Sequence, residues 1–417
     1  MAARSSSSLW RPWPDLPLEL LGIVLSRLPS YAHRVRLAAV CRPWRSNARL
    51  LRPLPPLLPW IALSDGTFLS LPDGAVHCLP AVDDGVSVRA STGSRLFLVH
   101  GDGRCSLMNP SPSATTPVPE AACWFQGKPV VRKVVASDHL IAALVESKNS
   151  RTARVIIFTR GQPWDITRCS TMEWAEPGDG FVSDIAIFKG KIYALLTTKV
   201  QQYRQHELRI LEDGHEQTTI QGTLVGQEAW YDASSTDAYL QLQRNYLVVS
   251  GDRLLMVERR ISAPLTSPTD RGASKLTRYF KVFEATDLSS SSCGHWTEVD
   301  TLMGRALFVS QGCSESLPAR AGGQSSGTGV EEDCIYFLNE KKGSNQPGLG
   351  FLNLTPGAPC ASPFVTRINE GNYESPFQDS GVYNMRDRTV TPLLAETVVA
   401  SAAREGTWSP TWLFPEP

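Results

Sequence analysis

Apolar residues follow two different rhythms along this chain. Between Leu16 and Leu28 they recur at helical spacing: Leu16, Leu20, Ile23 and Val24 form a stripe, and Leu21, Leu25 and Leu28 widen it until it nearly encircles a helix. Pro17 suits the first helical position, where its missing N–H costs nothing. Glu19 suits the first turn, where the positive end of the helix dipole favours a carboxylate. Pro29 and Ser30 stop the helix. A second short helix is expected from Tyr31 or Ala32, carrying Val35, Leu37, Ala38 and Val40, and Pro43 opens a third with Trp44 as its large apolar residue. From Trp60 the rhythm changes to period two. Short apolar runs recur, such as WIALS (60–64), HLIAALV (139–145), RVIIFT (154–159), DIAIF (184–188), YLVVS (246–250) and CIYFL (334–338). Turn residues such as Ser64-Asp65-Gly66 and Lys189-Gly190 separate them, and no long amphipathic helix interrupts.

The pattern predicts a small all-α module of three helices followed by a large all-β domain. Residues 1–12 are expected to be a disordered N-terminus, 13–49 the helical module, 50–59 a connector, 60–400 the β domain and 401–417 a tail. The connector LLRPLPPLLP holds four prolines, which prohibit a regular helix, and its leucines imply a stiff, partly packed strap. Hairpins spaced roughly 30 to 60 residues apart are near the blade length of propellers, so a six- or seven-bladed β-propeller is expected, with a pair of sandwiches as the alternative. Trp164-Asp165 is a single such dipeptide without a partner Gly-His, so it marks no WD repeat. Loops around 261–275, 286–294 and 318–333 lack the apolar content to pack.

Three helices in about forty residues bury too little surface to be robust alone. Their apolar positions also exceed what one packed face needs, which implies either a covering partner or packing on the rest of the chain. Here a resemblance adds to the pattern. Leu16-Pro17, Glu19-Leu20-Leu21, Ile23, Arg27-Leu28-Pro29, Arg34-Val35-Arg36-Leu37 and Val40-Cys41-Arg42-Pro43-Trp44-Arg45 together resemble an F-box. His33 stands where such modules often carry Asp, and Ala38 where a charge is common, so the second helix is expected to be weakly capped. Trp60-Ile61-Ala62-Leu63, Ser94-Arg95-Leu96-Phe97-Leu98, Phe188-Lys189-Gly190-Lys191-Ile192-Tyr193, Phe280-Lys281-Val282-Phe283 and Cys334-Ile335-Tyr336-Phe337 occur in the order found in the KIB-like, or kelch-like, F-box proteins of plants. The resemblance implies a β-propeller carboxyl-terminal to the F-box.

Charge and composition narrow the function further. The chain is formally neutral, but residues 1–53 hold nine arginines against Asp15 and Glu19, so the module is basic and the remainder acidic. These arginines are spread through apolar helices without a basic run, which favours solvated faces or an acidic partner over nucleic acid. Nine scattered cysteines without a C-x-x-C fit reduced thiols in cytoplasm or nucleus rather than a disulfide scaffold or zinc ribbon. Asn353-Leu354-Thr355 is a glycosylation sequon of low specificity. No apolar run approaches a membrane span. There is no G-x-S-x-G elbow between a strand and a helix, the spacing at Gly323–Gly327 falling in the Gly/Ser-rich loop, no phosphate-binding G-x-x-x-x-G-K and no paired histidines at ligand spacing after His206 or His215. Cys41 reads as a small buried apolar residue, and Asp83-Asp84 and Glu331-Glu332 as solvated acids. No catalytic, cofactor-binding or metal-ligating residue is therefore expected.

The resemblance implies a non-catalytic substrate-recognition subunit of an SCF-type E3 ubiquitin ligase. Its F-box would dock on the Skp adaptor, and through it on cullin and RING subunits, while the propeller binds a target protein. The expected adaptor-binding residues are Leu16, Pro17, Leu20, Leu21, Ile23, Leu25, Leu28, Val35, Leu37, Val40 and Trp44, some of which belong to the module's own core. The alternatives are an inhibitory or binding propeller outside any ligase, and a glycan-binding propeller with Trp124, Trp164, Trp174, Trp230 and Trp296 as platforms.

Overall fold

The computed structural model describes residues 13–28, 30–51, 57–71, 74–78, 85–110, 113–118, 130–146, 152–160, 166–175, 181–200, 203–212, 215–225, 239–264, 276–288, 294–319, 330–339, 377, 379–394 and 410–415. Residues 1–12, the sequon at Asn353, the Trp164-Asp165 dipeptide, Asp83-Asp84 and the centres of the three loops lie outside them.

After a 3-10 turn at Trp13–Asp15, three helices follow: α1 (Leu18–Ser26), α2 (Tyr31–Val40) and α3 (Arg42–Leu50). Pro17 lies just outside α1, at φ −53° and ψ 145°, so it caps the helix from an extended conformation rather than opening it. Ser30 occupies the cap position of α2 but its side chain makes no cap hydrogen bond. Leu21, Leu25 and Leu37 form the buried centre of the module, with Leu16, Leu28, Trp44, Ala48 and Leu51 packed against them. Three polar groups tie the helices to their connections. Trp44 Nε1 donates to Trp13 O (2.9 Å), Arg34 Nε to Leu28 O (2.8 Å) and Arg45 Nε to Ala38 O (3.2 Å).

Beyond the connector, whose Leu57 and Leu58 are buried, twenty-five strands among the described residues form six sheets. Blade one contains β1 (Trp60–Ala62), β2 (Thr67–Ser70) and β3 (Val76–Cys78). Blade two is β4 (Ser87–Thr92), β5 (Arg95–Val99), β6 (Cys105–Pro110) and β7 (Ser113–Val118). Blade three is β8 (Val130–Ala136), β9 (Leu140–Glu146), β10 (Thr152–Arg160) and β11 (Ile166–Ala175). Blade four is β12 (Phe181–Phe188), β13 (Lys191–Val200), β14 (Tyr203–Glu212) and β15 (His215–Val225). Blade five is β16 (Tyr239–Ser250), β17 (Arg253–Pro264), β18 (Leu276–Thr286) and β19 (His295–Glu298). Blade six holds β20 (Arg305–Val309), β21 (Ser314–Pro318), β22 (Cys334–Phe337), β23 (Gly381–Asn384) and β24 (Thr389–Pro392). Its order is β21-β20-β22-β23-β24, with β20 and β22 parallel. The protein is a six-bladed β-propeller behind a three-helix module.

The last strand, β25 (Thr411–Leu413), does not belong to a free tail. It pairs antiparallel with β1, Ile61 opposite Trp412, and completes blade one from the other end of the chain. An unpaired β1 would leave an open sheet edge in the ring, and β25 supplies the missing ladder. Trp412 is fully buried, donates from Nε1 to Val309 O (3.1 Å) and meets Phe308 edge-on. The expectation of a tail over 401–417 is corrected by this pairing.

The core lies in six seams, one between each pair of neighbouring blades. Alternate residues of a middle strand serve opposite seams. In β9, Ile141, Ala143 and Val145 face blade two while Ala142 and Leu144 face blade four. Such strands are buried on both faces, so their sequences are nearly continuous apolar runs. The strands facing the central axis are β25, β4, β8, β12, β16 and β21, each meeting the next.

Candidate functional site

Two regions qualify, the helical module's surface and the mouth of the propeller's central channel. On the module, the structure divides the expected adaptor-binding residues. Leu21 (0% exposed), Leu25 (1%) and Leu37 are enclosed by the module itself, so they hold helices together and offer nothing to a partner. Leu16, Leu28 and Trp44 are half-buried around them. Leu20, Ile23, Val35 and Val40 are 48%, 50%, 49% and 63% exposed, and Pro17 is exposed too. Val24, Leu50 and Trp13 are further exposed apolar side chains absent from the expected set. Leu20, Ile23 and Val24 stand three and four positions apart, on one face of α1. The spacing could not separate them from Leu21 and Leu25, because all five residues are large and aliphatic. Cys41 is half-buried rather than buried, at the start of α3.

The module meets the propeller through aromatic rings. Tyr31 of α2 lies edge-on to Trp60 of β1 (5.8 Å between centroids, 77°), and Trp60 stacks on His77 of β3 (5.3 Å, 9°).

At the propeller's axis, three consecutive blades repeat one device. The inner strands β4, β8 and β12 each carry one residue unmatched in the ladder to the next strand: Arg89, Arg132 and Ser183. A β-bulge of this kind re-aims a side chain at a rim. Arg132 and Ser183 line a solvent-open cleft with Gln243, Arg244, Asn245 and Gln311. Lys133 and Asp184 also reach it, joined by a buried ion pair of 2.7 Å. Both Asp184 oxygens are occupied: Oδ1 accepts Ile185 N–H, and Oδ2 accepts Lys133 Nζ and Leu247 N–H. Burial pushes the Asp184 carboxyl up, opposed by Lys133. Ser183 hydroxyl bonds Thr197 Oγ1 (2.6 Å), which accepts from Asn245 Nδ2 (3.3 Å), whose Oδ1 accepts from Gln243 Nε2 (3.0 Å). Arg132 pairs with Glu146 through Nη1 (2.6 Å), while its buried Nε has no hydrogen-bond partner.

Burial pushes the Cys105, Cys313 and Cys334 thiols up to about 12, far from nucleophilic thiolates. Among the described residues, no group of three or more His, Cys, Asp or Glu is placed to hold a metal ion, and no helix is long and apolar enough to cross a membrane. Glu331 is exposed, but Glu332 bonds Arg386 rather than water alone. Trp296 is a core residue bonded to His206 O (3.1 Å), not a rim platform. Trp124, Trp164 and Trp230, and the side chain of Trp174, lie outside the described residues.

Comparison with known families decides the lineage. Residues 68–384 match the model of the KIB1-4 beta-propeller, and residues 13–51 match the F-box-like model. The chain belongs to the KIB1-4 β-propeller family. An F-box-like module followed by a KIB1-4 propeller is the architecture of the F-box substrate-receptor type, and it fits a non-catalytic adaptor. No curated protein matches the chain. Among solved structures, it is similar to the N-terminal domain of Nup159 (10% identity, TM-score 0.28, 61% of this chain and 70% of that one). It is also similar to a Synechocystis apocarotenoid oxygenase variant (11%, 0.29, 51% and 48%) and the Myceliophteria thermophila Cps50 (Swd1) beta-propeller domain (11%, 0.24, 54% and 74%). At such scores these likenesses add nothing to the family assignment.

Proposed function

We propose that this KIB1-4 propeller chain is the substrate-recognition subunit of an SCF-type E3 ubiquitin ligase, acting in cytoplasm or nucleus. Its F-box docks on a Skp adaptor, which links cullin and the RING subunit, and its propeller binds the target protein. The chain supplies no catalytic residue. It raises the target's effective concentration beside the conjugating enzyme, the physical content of tethering.

One observation carries the reading. The helical module completes its own core with Leu21, Leu25 and Leu37, yet leaves Leu20, Ile23 and Val24 exposed on one face of α1. Covering the exposed half of such a side chain contributes about 1 kcal/mol, so a shared apolar face suffices to anchor a partner helix. F-box-like modules typically bind Skp-type adaptors, which supports the adaptor as the partner.

Capture of the full-length chain on immobilised Skp adaptor tests this. Leu20→Asp combined with Ile23→Asp is expected to reduce capture more than tenfold while the propeller's melting temperature is unchanged. Leu21→Asp is unsuitable, because it breaks the module's core. Capture that survives the double substitution, or no capture of the wild-type chain, overturns the reading in favour of a propeller that binds its partner outside a ligase.

A further inference from the structure

We propose that the cleft at the mouth of the central channel binds an anionic side chain, a carboxylate or a phosphomonoester, on an extended segment of the target protein. This rests on the reading of the propeller as the target-holding part.

Four observations converge. First, the bulges of β8 and β12 both fall at this cleft, and they place Arg132 and Ser183 on its wall where a regular ladder would keep strict alternation. Second, the wall carries N–H donors: the guanidinium groups of Arg132 and Arg244 and the amide of Gln311. Third, the one carboxylate on the wall is unavailable to a cationic ligand. Asp184 already accepts from Lys133, Leu247 and Ile185. Glu146 neutralises one end of Arg132, and Glu315, near Lys133, is not part of the wall. Fourth, Arg132 is 7% exposed and its Nε is buried with no hydrogen-bond partner. Leaving such a donor unsatisfied is unfavourable, and an oxyanion that reaches it from the cleft would remove that cost.

The geometry is also prepared in advance. Ser183, Asn245 and Gln243 are held by one another and by Thr197, so the wall does not have to order itself around a ligand. A planar guanidinium suits the paired oxygens of a carboxylate or phosphate, whereas a neutral hydroxyl engages only one donor. The cleft is small and open, so it holds a side chain rather than a whole peptide. Affinity for the rest of the segment comes from the surrounding rim.

The test uses the full-length chain and three glycine-flanked pentapeptides, bearing a central phosphoserine, aspartate or serine, with inorganic phosphate as a fourth probe. Titration calorimetry at physiological salt is expected to detect the phosphoserine or the aspartate peptide at least tenfold more strongly than the serine peptide. The stronger of the two identifies the source of the anion. Arg132→Gln is expected to abolish the preference, and Arg244→Gln to weaken it several-fold. Arg104→Gln, on an exposed turn of blade two, leaves it intact. Because Arg132→Gln also strips Glu146 of its partner, Arg244→Gln is the arm that remains interpretable if the first variant unfolds. Equal binding of all three peptides, or a preference unaltered in the folded variants, overturns the proposal. Adaptor capture is measured on the same preparations. Its loss with the anion preference retained removes only the ligase reading, and the converse removes only this one.

Discussion

Asp333 shows how much one polar residue organises. It sits at φ +57°, a left-handed conformation that Asp tolerates better than most residues, and is 3% exposed. Its carboxylate accepts from Leu302 N–H (2.7 Å), Thr301 Oγ1 (3.0 Å) and Arg386 Nε (2.8 Å), while its carbonyl accepts from Met385 N–H. Burial alone would push this carboxyl up; the Leu302, Arg386 and Thr301 hydrogen bonds outweigh it and hold the group below the usual carboxylate range. A depressed carboxylate contributes stability that is present above the unfolded-state value, about 3.9, and is lost as pH falls through the lower folded-state value. Asp333→Asn is therefore expected to lower stability by about 2 kcal/mol at pH 7, with the gap to wild type closing below about pH 4. Urea unfolding at pH 7, 4.5 and 3 checks this, and a gap constant across that range contradicts it. At this scale the sequence was least informative. Glu331-Glu332 reads as a solvated acid pair, and nothing in the neighbouring sequence shows that Arg386, fifty-three positions on from Asp333, closes around that aspartate.

Among the elements, those buried on both faces announced themselves. β9, β10, β13 and β17 are apolar runs because each side chain direction meets a blade. The Phe188–Lys191 hairpin was equally plain, since Lys189 and Gly190 both take positive φ (48° and 77°), the mirror turn that glycine accommodates. Strands of mixed apolar and polar sequence were not legible. β15, β19 and β24 at the blade edges lack the apolar run, as do β4 and β8 at the axis, where Arg89, Arg132 and Lys133 interrupt it. The valine run V-V-R-K-V-V carried a signal in retrospect: two bases inside an apolar strand mark a polar axis. β25 was missed because three residues, Thr411-Trp412-Leu413, form no period, and only the partner β1 makes them a strand. Deleting residues 410–417 removes Trp412 and exposes β1 as an edge. The truncated chain is expected to melt more than 5 °C lower and less cooperatively by calorimetry; an unchanged transition contradicts the closure role.

For the whole molecule, the relation between module and propeller matters as much as either part, because a tether works only if its two ends are held in a productive geometry. Tyr31, Trp60 and His77 form the joint. Trp60→Ala is expected to broaden the distance distribution between spin labels at Arg36 and Arg104, both exposed, while leaving adaptor capture intact. An unbroadened distribution shows that the connector alone fixes the angle. By itself the sequence determined the two-part plan, the three helices and the double-faced strands, because local periodicity and turn chemistry are written in neighbouring residues. The tertiary structure decided which leucines stay exposed, how the last strand closes the ring, and where two bulges turn Arg132 and Ser183 onto one cleft. Those outcomes depend on contacts between residues tens to hundreds of positions apart, and a chain read in order does not contain those distances.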